Sequence, residues 1–136
     1  MRQCSVKEKW YRFKRQSDKN QLLERKATMV AQWFQPEKDV FYSYVKVSLN
    51  SIAIEVRNCL REKHPEHSIF LTSDETFSYW ESNNIDDNHW NEAEGMQIMD
   101  TLDECMFDKL NFRPSKSEDI TNLEYMCIDN VSYYRL

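Results

Sequence analysis

Cys59, His64 and His67 have side chains that could bind zinc, and they lie within nine consecutive positions. Their spacing does not suit a zinc site, because Cys59 belongs to an apolar helical pattern and no fourth ligand follows at a familiar interval. A core thiol followed by two surface imidazoles accounts better for these three residues. We therefore predict no metal site. We also predict no cofactor, since a phosphate-binding loop needs several glycines and the chain has one.

A second group of chemically capable residues surrounds the turn that follows Asn83. Its members are Asp86, Asp87, His89, Glu92 and Glu94. These carboxylates could bind a divalent cation or act as an acid and base pair, but an EF-hand loop needs a central glycine in fixed register, and Gly95 is misplaced. Carboxylates before and inside a first helical turn are stabilised by the helix dipole without any ligand. We interpret this segment as a helix start.

Cys127 is the cysteine whose surroundings come closest to those of a nucleophile. The apolar pattern places it near a helix start, where the dipole favours a thiolate. No histidine lies near it in the sequence, and Ile128 beside it belongs to a packing face. We therefore expect a buried thiol and no catalytic residue, so the chain is not predicted to be an enzyme by itself. A papain-like enzyme with Cys127 as nucleophile is the alternative.

The amino-terminal part of the chain is basic and the remainder is acidic. Residues 1–39 hold ten Lys and Arg against five Asp and Glu, whereas residues 40–136 hold eight against eighteen. Cations and aromatic rings alternate in the first helix, and such a helix can bind phosphates and stack on bases. The acidic remainder weakens long-range attraction to nucleic acid, so a basic-arm nucleic-acid binder is kept only as an alternative.

Helices must position all of these residues. One Gly and three Pro in 136 residues argue against tight hairpins. Apolar residues recur at helical spacing in several stretches, which predicts an all-α fold, an irregular array of about five helices. We expect the two longest helices, at about 39–64 and 91–110, to pack antiparallel.

Apolar stripes identify the faces that these helices should bury. In the first helix the stripe consists of Val6, Trp10, Tyr11 and Phe13. In the helix at 39–64 it consists of Tyr44, Val45, Leu49, Ile52, Val56, Cys59 and Leu60. In the helix at 91–110 it consists of Met96, Met99, Leu102, Met106 and Leu110, after a capping box formed by Asn91 and Glu94. A last helix should carry Leu123, Cys127, Ile128, Val131 and Tyr134. Trp33, Trp80 and Trp90 are expected to fill gaps in the core.

The sequence also suggests where the protein works. No apolar run is long enough to span a membrane, and the first residues lack the pattern of a secretory signal. The four cysteines are widely scattered, which is typical of buried thiols in a reducing compartment. We therefore predict a cytoplasmic or nuclear protein with no membrane partner.

Several segments of the chain, taken in their order along the sequence, resemble segments of one known family. These segments are Trp33-Phe34-Gln35-Pro36, Ser48–Ala53, Arg61–Phe70, Asn83–Trp90, Gln97–Leu102 with Phe107, Asn130-Val131 and Tyr134-Arg135. In order and number they resemble the F-box only protein 21 family, from the region after the F-box to the start of its transglutaminase-like domain of the SirB1 N-terminal type. The resemblance covers residues from about 28 to 136.

The resemblance implies a substrate-recognition subunit of an SCF-type E3 ubiquitin ligase that acts with the Skp1 adaptor and a cullin. It implies that residues 1–38 are a basic helical linker after a missing or incomplete F-box, and that residues 39–136 are the truncated helical start of the transglutaminase-like domain. A non-catalytic domain of that type without a ligase role is the alternative. The candidate protein-binding residues are Trp80, Asp86, Asp87, Trp90 and Tyr134.

Overall fold

The computed structural model describes residues 2–87, 89–112 and 127–128, and these residues contain helices and no β-strand. The predicted all-α fold is thus confirmed. The α-helices are α1 (Arg2–Lys14), α2 (Leu23–Phe34), α3 (Tyr42–Lys63), α4 (Asp74–Ser82) and α5 (Glu92–Glu104). Short 3₁₀ turns at Asp18–Asn20 and Ser68–Phe70 join some of them, and a π-helical turn at Cys105–Lys109 follows α5 directly.

The chain forms two compact units. Unit 1 consists of Met1–Leu49 with Arg113–Leu136, and unit 2 consists of Asn50–Phe112. Helix α3 begins in unit 1 and ends in unit 2. The predicted division into residues 1–38 and 39–136 follows the family resemblance and stays a prediction.

In unit 1, α1 packs against α2. Val6 and Phe13 of α1 are buried with Met29 of α2, and Trp10 packs against them. Tyr11, which the apolar stripe placed on the same face, is 54% exposed. That part of the prediction is wrong because positions 6, 10 and 13 share one face of a helix, whereas position 11 is turned away from it.

A second apolar cluster of unit 1 joins Ala31, Val40 and Cys127, with Ile128 packed against it. Cys127 is 4% exposed, so the predicted buried thiol is confirmed. The remainder of the predicted last helix lies outside the described residues. Trp33 is 41% exposed, and its predicted role in filling the core is wrong. Trp33 lies in the last turn of α2, which ends at Phe34.

In unit 2, α5 buries a different face from the predicted one. Thr101 and Cys105 are 1% and 2% exposed, whereas Met96 and Met99 of the predicted stripe are 55% and 53% exposed. Residues 94, 98, 101 and 105 share the inner face because of their helical spacing, and Glu94 on that face is bonded to Ser68. The prediction that the stripe is buried is therefore wrong for Met96 and Met99, whereas Leu102, Met106 and Leu110 are half-buried.

Helix α3 matches its predicted range closely, and Pro65 lies just beyond its end. Val45 and Leu60 of the predicted stripe are buried, but Tyr44 is 71% exposed. Two ion pairs join the second half of α3 to the end of α5 and its π turn: Glu55 with Lys109 and Lys63 with Glu104. The pair partner that comes earlier in α3, Glu55, binds the later residue of the other segment, Lys109, and the later one, Lys63, binds the earlier residue, Glu104. Antiparallel packing stays a prediction that this order favours.

No helix in the described ranges is both long enough and apolar enough to cross a membrane.

Candidate protein-interaction site

Helix α4 and the segment before α5 hold the predicted tryptophans. The Ser73 side chain accepts a hydrogen bond from the backbone N–H of Thr76 and thereby caps α4. The chain then turns at Asn84, whose φ of 49° lies in the left-handed region. The backbone N–H of Ile85 donates to the Trp80 carbonyl oxygen at 2.9 Å. This turn folds the following segment back over Trp80.

The rings of Phe77, Trp80, His89 and Trp90 form what we call the aromatic cluster. The His89 ring stacks on Trp80, with centroids 3.7 Å apart and an angle of 7° between the planes. Trp90 meets Trp80 edge to face at 6.2 Å, and Phe77 meets it in the same way at 5.5 Å. Edge-to-face and stacked pairs add specific geometry to apolar burial. Both predicted tryptophans are only half-buried, so the cluster presents an ordered aromatic surface.

His67 is the buried support of this cluster, with 1% exposure. Its Nδ1 accepts a hydrogen bond from the backbone N–H of Ile69 at 3.0 Å, and its Nε2 lies 3.0 Å from the Glu94 carbonyl oxygen. Because Nδ1 accepts, Nε2 carries the proton and donates to that carbonyl. The ring also meets Trp90 edge to face at 5.5 Å. The prediction that both imidazoles lie on the surface is therefore wrong for His67, which has a satisfied position in the core.

Glu94 joins the start of α5 to the turn after α3. Its backbone N–H donates to the Asn91 side-chain oxygen at 2.8 Å, which is the N-cap bond of the predicted capping box. Its carboxylate accepts hydrogen bonds from the Ser68 backbone N–H at 3.0 Å and the Ser68 hydroxyl at 2.8 Å. These two bonds lower the pKa of the Glu94 carboxyl, since they favour its charged form.

Two arginines of α3 extend the cluster, and sequence reasoning did not identify them. The guanidinium of Arg61 lies 4.8 Å from the centre of the Phe70 ring. That of Arg57 lies 5.9 Å from Phe70 and 5.8 Å from Phe77. Their spacing of four residues places both on one side of α3, but nothing in the sequence indicates which rings they meet.

The acidic residues of the predicted site lie in the segment that joins the two tryptophans. Asp86 and Asp87 are exposed in the segment between Trp80 and Trp90. Within the described ranges, no three His, Cys, Asp or Glu side chains are grouped so that they could hold a metal ion. Tyr134, the remaining predicted site residue, lies outside the described residues. The structure thus brings together two of the five predicted residues, Trp80 and Trp90, while Asp86 and Asp87 are exposed in the segment that joins them.

A further cluster in unit 2 contains two cysteines, and we call its members Glu55, Cys59, Cys105 and Lys109 the thiol cluster. The Lys109 ammonium lies 3.7 Å from the Cys59 sulfur and 3.1 Å from the Glu55 carboxylate. The Cys105 thiol is hydrogen-bonded to Cys59, and burial raises the pKa of Cys105 to about 11. The sequence predicted Cys59 as a core thiol but gave no signal for its pairing, because the two cysteines are far apart in the chain.

Comparison with models of protein families, with curated proteins and with solved structures gives no match to this chain.

Proposed function

We propose that this chain is a protein-interaction segment of a substrate-recognition subunit in an SCF-type ubiquitin ligase, with no active site of its own. The observation that carries the protein-binding part is the aromatic cluster, in which half-buried Trp80 and Trp90 are fixed by ring contacts. Tryptophan is enriched among the residues that dominate binding energy at protein interfaces. The ligase part rests on the resemblance to the F-box only protein 21 family.

The charge beside the cluster supports a partner with a basic surface. Asp86 and Asp87 are exposed in the segment between the two tryptophans, and residues 40–136 have ten more acidic than basic residues. Complementary charge increases the rate of encounter and excludes partners of like charge. A basic segment of a protein to be ubiquitinated is therefore the partner chemistry that this surface fits.

A pull-down of the tagged full chain from cell extract, read by mass spectrometry, tests the ligase part. Recovery of Skp1 and a cullin would support it, because the chain would then still make the adaptor contact. Circular dichroism of the same preparation establishes that the chain is helical. A helical chain that recovers neither protein would contradict the proposed ligase role for this chain.

Paired charge reversals test the protein-binding surface. The double variant D86K/D87K reverses the charge beside the aromatic cluster, and we expect it to lose the proteins that the wild-type chain recovers other than the ligase subunits. The matched control is D100K/D103K, since Asp100 and Asp103 are also exposed acidic residues of unit 2. Equal loss in both variants would show that only net charge matters, and would contradict a surface at the aromatic cluster.

A further inference from the structure

The π-helical turn after α5 places a buried cysteine and a lysine beside α3. The turn runs from Cys105 to Lys109, and the backbone N–H of Leu110 donates to the Cys105 carbonyl oxygen at 2.9 Å. Single π-helical turns are rare and occur frequently at functional sites. Cys105 and Lys109 are at its two ends and both contact residues of α3.

The α3 side of this contact consists of Glu55 and Cys59, which are four residues apart and therefore share one face of the helix. Lys109 bridges them, with its ammonium 3.1 Å from the Glu55 carboxylate and 3.7 Å from the Cys59 sulfur. The hydrogen bond to Glu55 raises the pKa of Lys109, so the lysine stays protonated at neutral pH. A permanent cation thus lies against the Cys59 sulfur.

The two thiols have different surroundings and would have different chemical roles. Cys59 is half-buried, and the Lys109 ammonium lies 3.7 Å from its sulfur. Cys105 is 2% exposed, and its raised pKa keeps it as a protonated thiol. A half-buried thiol beside a cation, in contact with a second and more deeply buried thiol, matches a pattern found among redox-sensing cysteines, which often lie next to a resolving cysteine.

We propose that Cys59 and Cys105 form a peroxide-sensitive dithiol that closes reversibly into a disulfide bond between α3 and the π-helical turn. In the first step, the Cys59 thiolate attacks one oxygen of hydrogen peroxide. An S–O bond forms, the O–O bond breaks, and the departing hydroxide takes up a proton to become water. The product is a sulfenic acid on Cys59.

In the second step, the Cys105 sulfur attacks the Cys59 sulfur. An S–S bond forms and the S–O bond breaks, while the Cys105 proton leaves with the hydroxyl group as a second water molecule. The two cysteines together lose two electrons, which reduce the peroxide. A dithiol reductant reverses the oxidation by thiol–disulfide exchange.

Peptide mapping of the wild-type full chain tests the proposal without any substitution. The reduced protein is treated with hydrogen peroxide, blocked with N-ethylmaleimide and digested without reduction. We expect a linked peptide that joins Cys59 to Cys105, lacks two hydrogen atoms and disappears after treatment with dithiothreitol. Cys4, which is exposed on α1, is the internal control and should oxidise more slowly. Oxidation of Cys4 while Cys59 and Cys105 are both still alkylated would overturn the proposal.

Variants then test the separate roles. K109M removes the cation and should slow the loss of the Cys59 thiol roughly tenfold, whereas K63M removes a lysine that pairs with Glu104 in the same unit and should leave the rate unchanged. C105S should accumulate a sulfenic acid on Cys59 that reacts with dimedone. Circular dichroism confirms that each variant folds. Equal rates in K109M and K63M would overturn the role of the lysine.

Discussion

Two buried threonines show how one hydrogen bond changes the cost of burying a hydroxyl group. Thr28 of α2 is 2% exposed, and its hydroxyl donates to the Glu24 carbonyl oxygen at 2.7 Å. Thr101 of α5 is 1% exposed, and its hydroxyl oxygen has no hydrogen-bond partner among the described residues. A buried polar group without a partner costs free energy that an apolar group of the same shape does not.

The substitution Thr101→Val should therefore stabilise the protein. We expect the free energy of unfolding to rise by about 1 kcal/mol, because valine has the same shape and removes the unpaired hydroxyl. Thr28→Val is the matched control and should give no gain, since it removes a hydrogen bond of similar value. Urea unfolding followed by circular dichroism measures both. A stability of Thr101→Val at or below the wild type would contradict the absence of a partner for this hydroxyl.

Glu94 should make unfolding sensitive to acid. Its pKa is lowered in the folded state by the hydrogen bonds from Ser68. The stabilisation is therefore present above the ordinary carboxyl pKa and is lost as the pH falls through the lowered value. The urea concentration at the midpoint of unfolding should fall less between pH 7 and pH 3 in Glu94→Gln than in the wild type. In Glu92→Gln, a variant in the same first turn of α5, this fall should be almost the same as in the wild type. A similar reduction in both variants would assign the effect to the helix dipole instead.

At the scale of elements, the presence of a helix is easier to predict from the sequence than the face that the helix buries. The helical spacing of apolar residues predicted α1, α3 and α5, because the period of 3.6 residues is a local property. It did not predict which face of α5 is buried. Thr101 and Cys105 are buried while Met96 and Met99 are exposed, and Glu94, on the same face as Thr101 and Cys105, is bonded to Ser68.

The N-cap of α5 should contribute measurably to stability. Asn91→Ala removes the acceptor for the Glu94 backbone N–H, which is bonded at 2.8 Å. We expect a loss of about 1 kcal/mol in the free energy of unfolding, and Asn91→Ser should restore most of it because serine is also a good N-cap residue. Thermal unfolding of the three proteins measures the effect. Equal losses for alanine and serine would show that the asparagine acts in some other way.

At the scale of the whole molecule, the reactivity of a buried cysteine measures the local opening of the unit that contains it. Cys127 is buried in unit 1 and Cys105 in unit 2, at 4% and 2% exposure, while Cys4 is exposed. Under native, reducing conditions we expect N-ethylmaleimide to modify Cys4 first, with the two buried thiols slower by roughly a hundredfold or more, because they react only after local opening. Peptide mapping over time measures the rates. Rapid modification of Cys127 would contradict its packing against Ala31 and Val40.

The sequence by itself determined the fold class, the approximate helix bounds and the burial of Cys127. Each of these follows from local spacing or from the apolar character of neighbouring residues, which are visible in the chain. It also singled out Trp80 and Trp90, although it did not predict that the His89 ring would stack on Trp80.

Only the tertiary structure decided the features that depend on contacts between distant segments. His67 is buried because Ile69 and Glu94 satisfy both of its ring nitrogens, and one of these partners is 27 residues away. Cys59 meets Cys105 because α3 and the π-helical turn pack together. Sequence spacing determines which side of a helix a residue occupies. Which segment packs against that side depends on the burial and hydrogen bonds of all segments together.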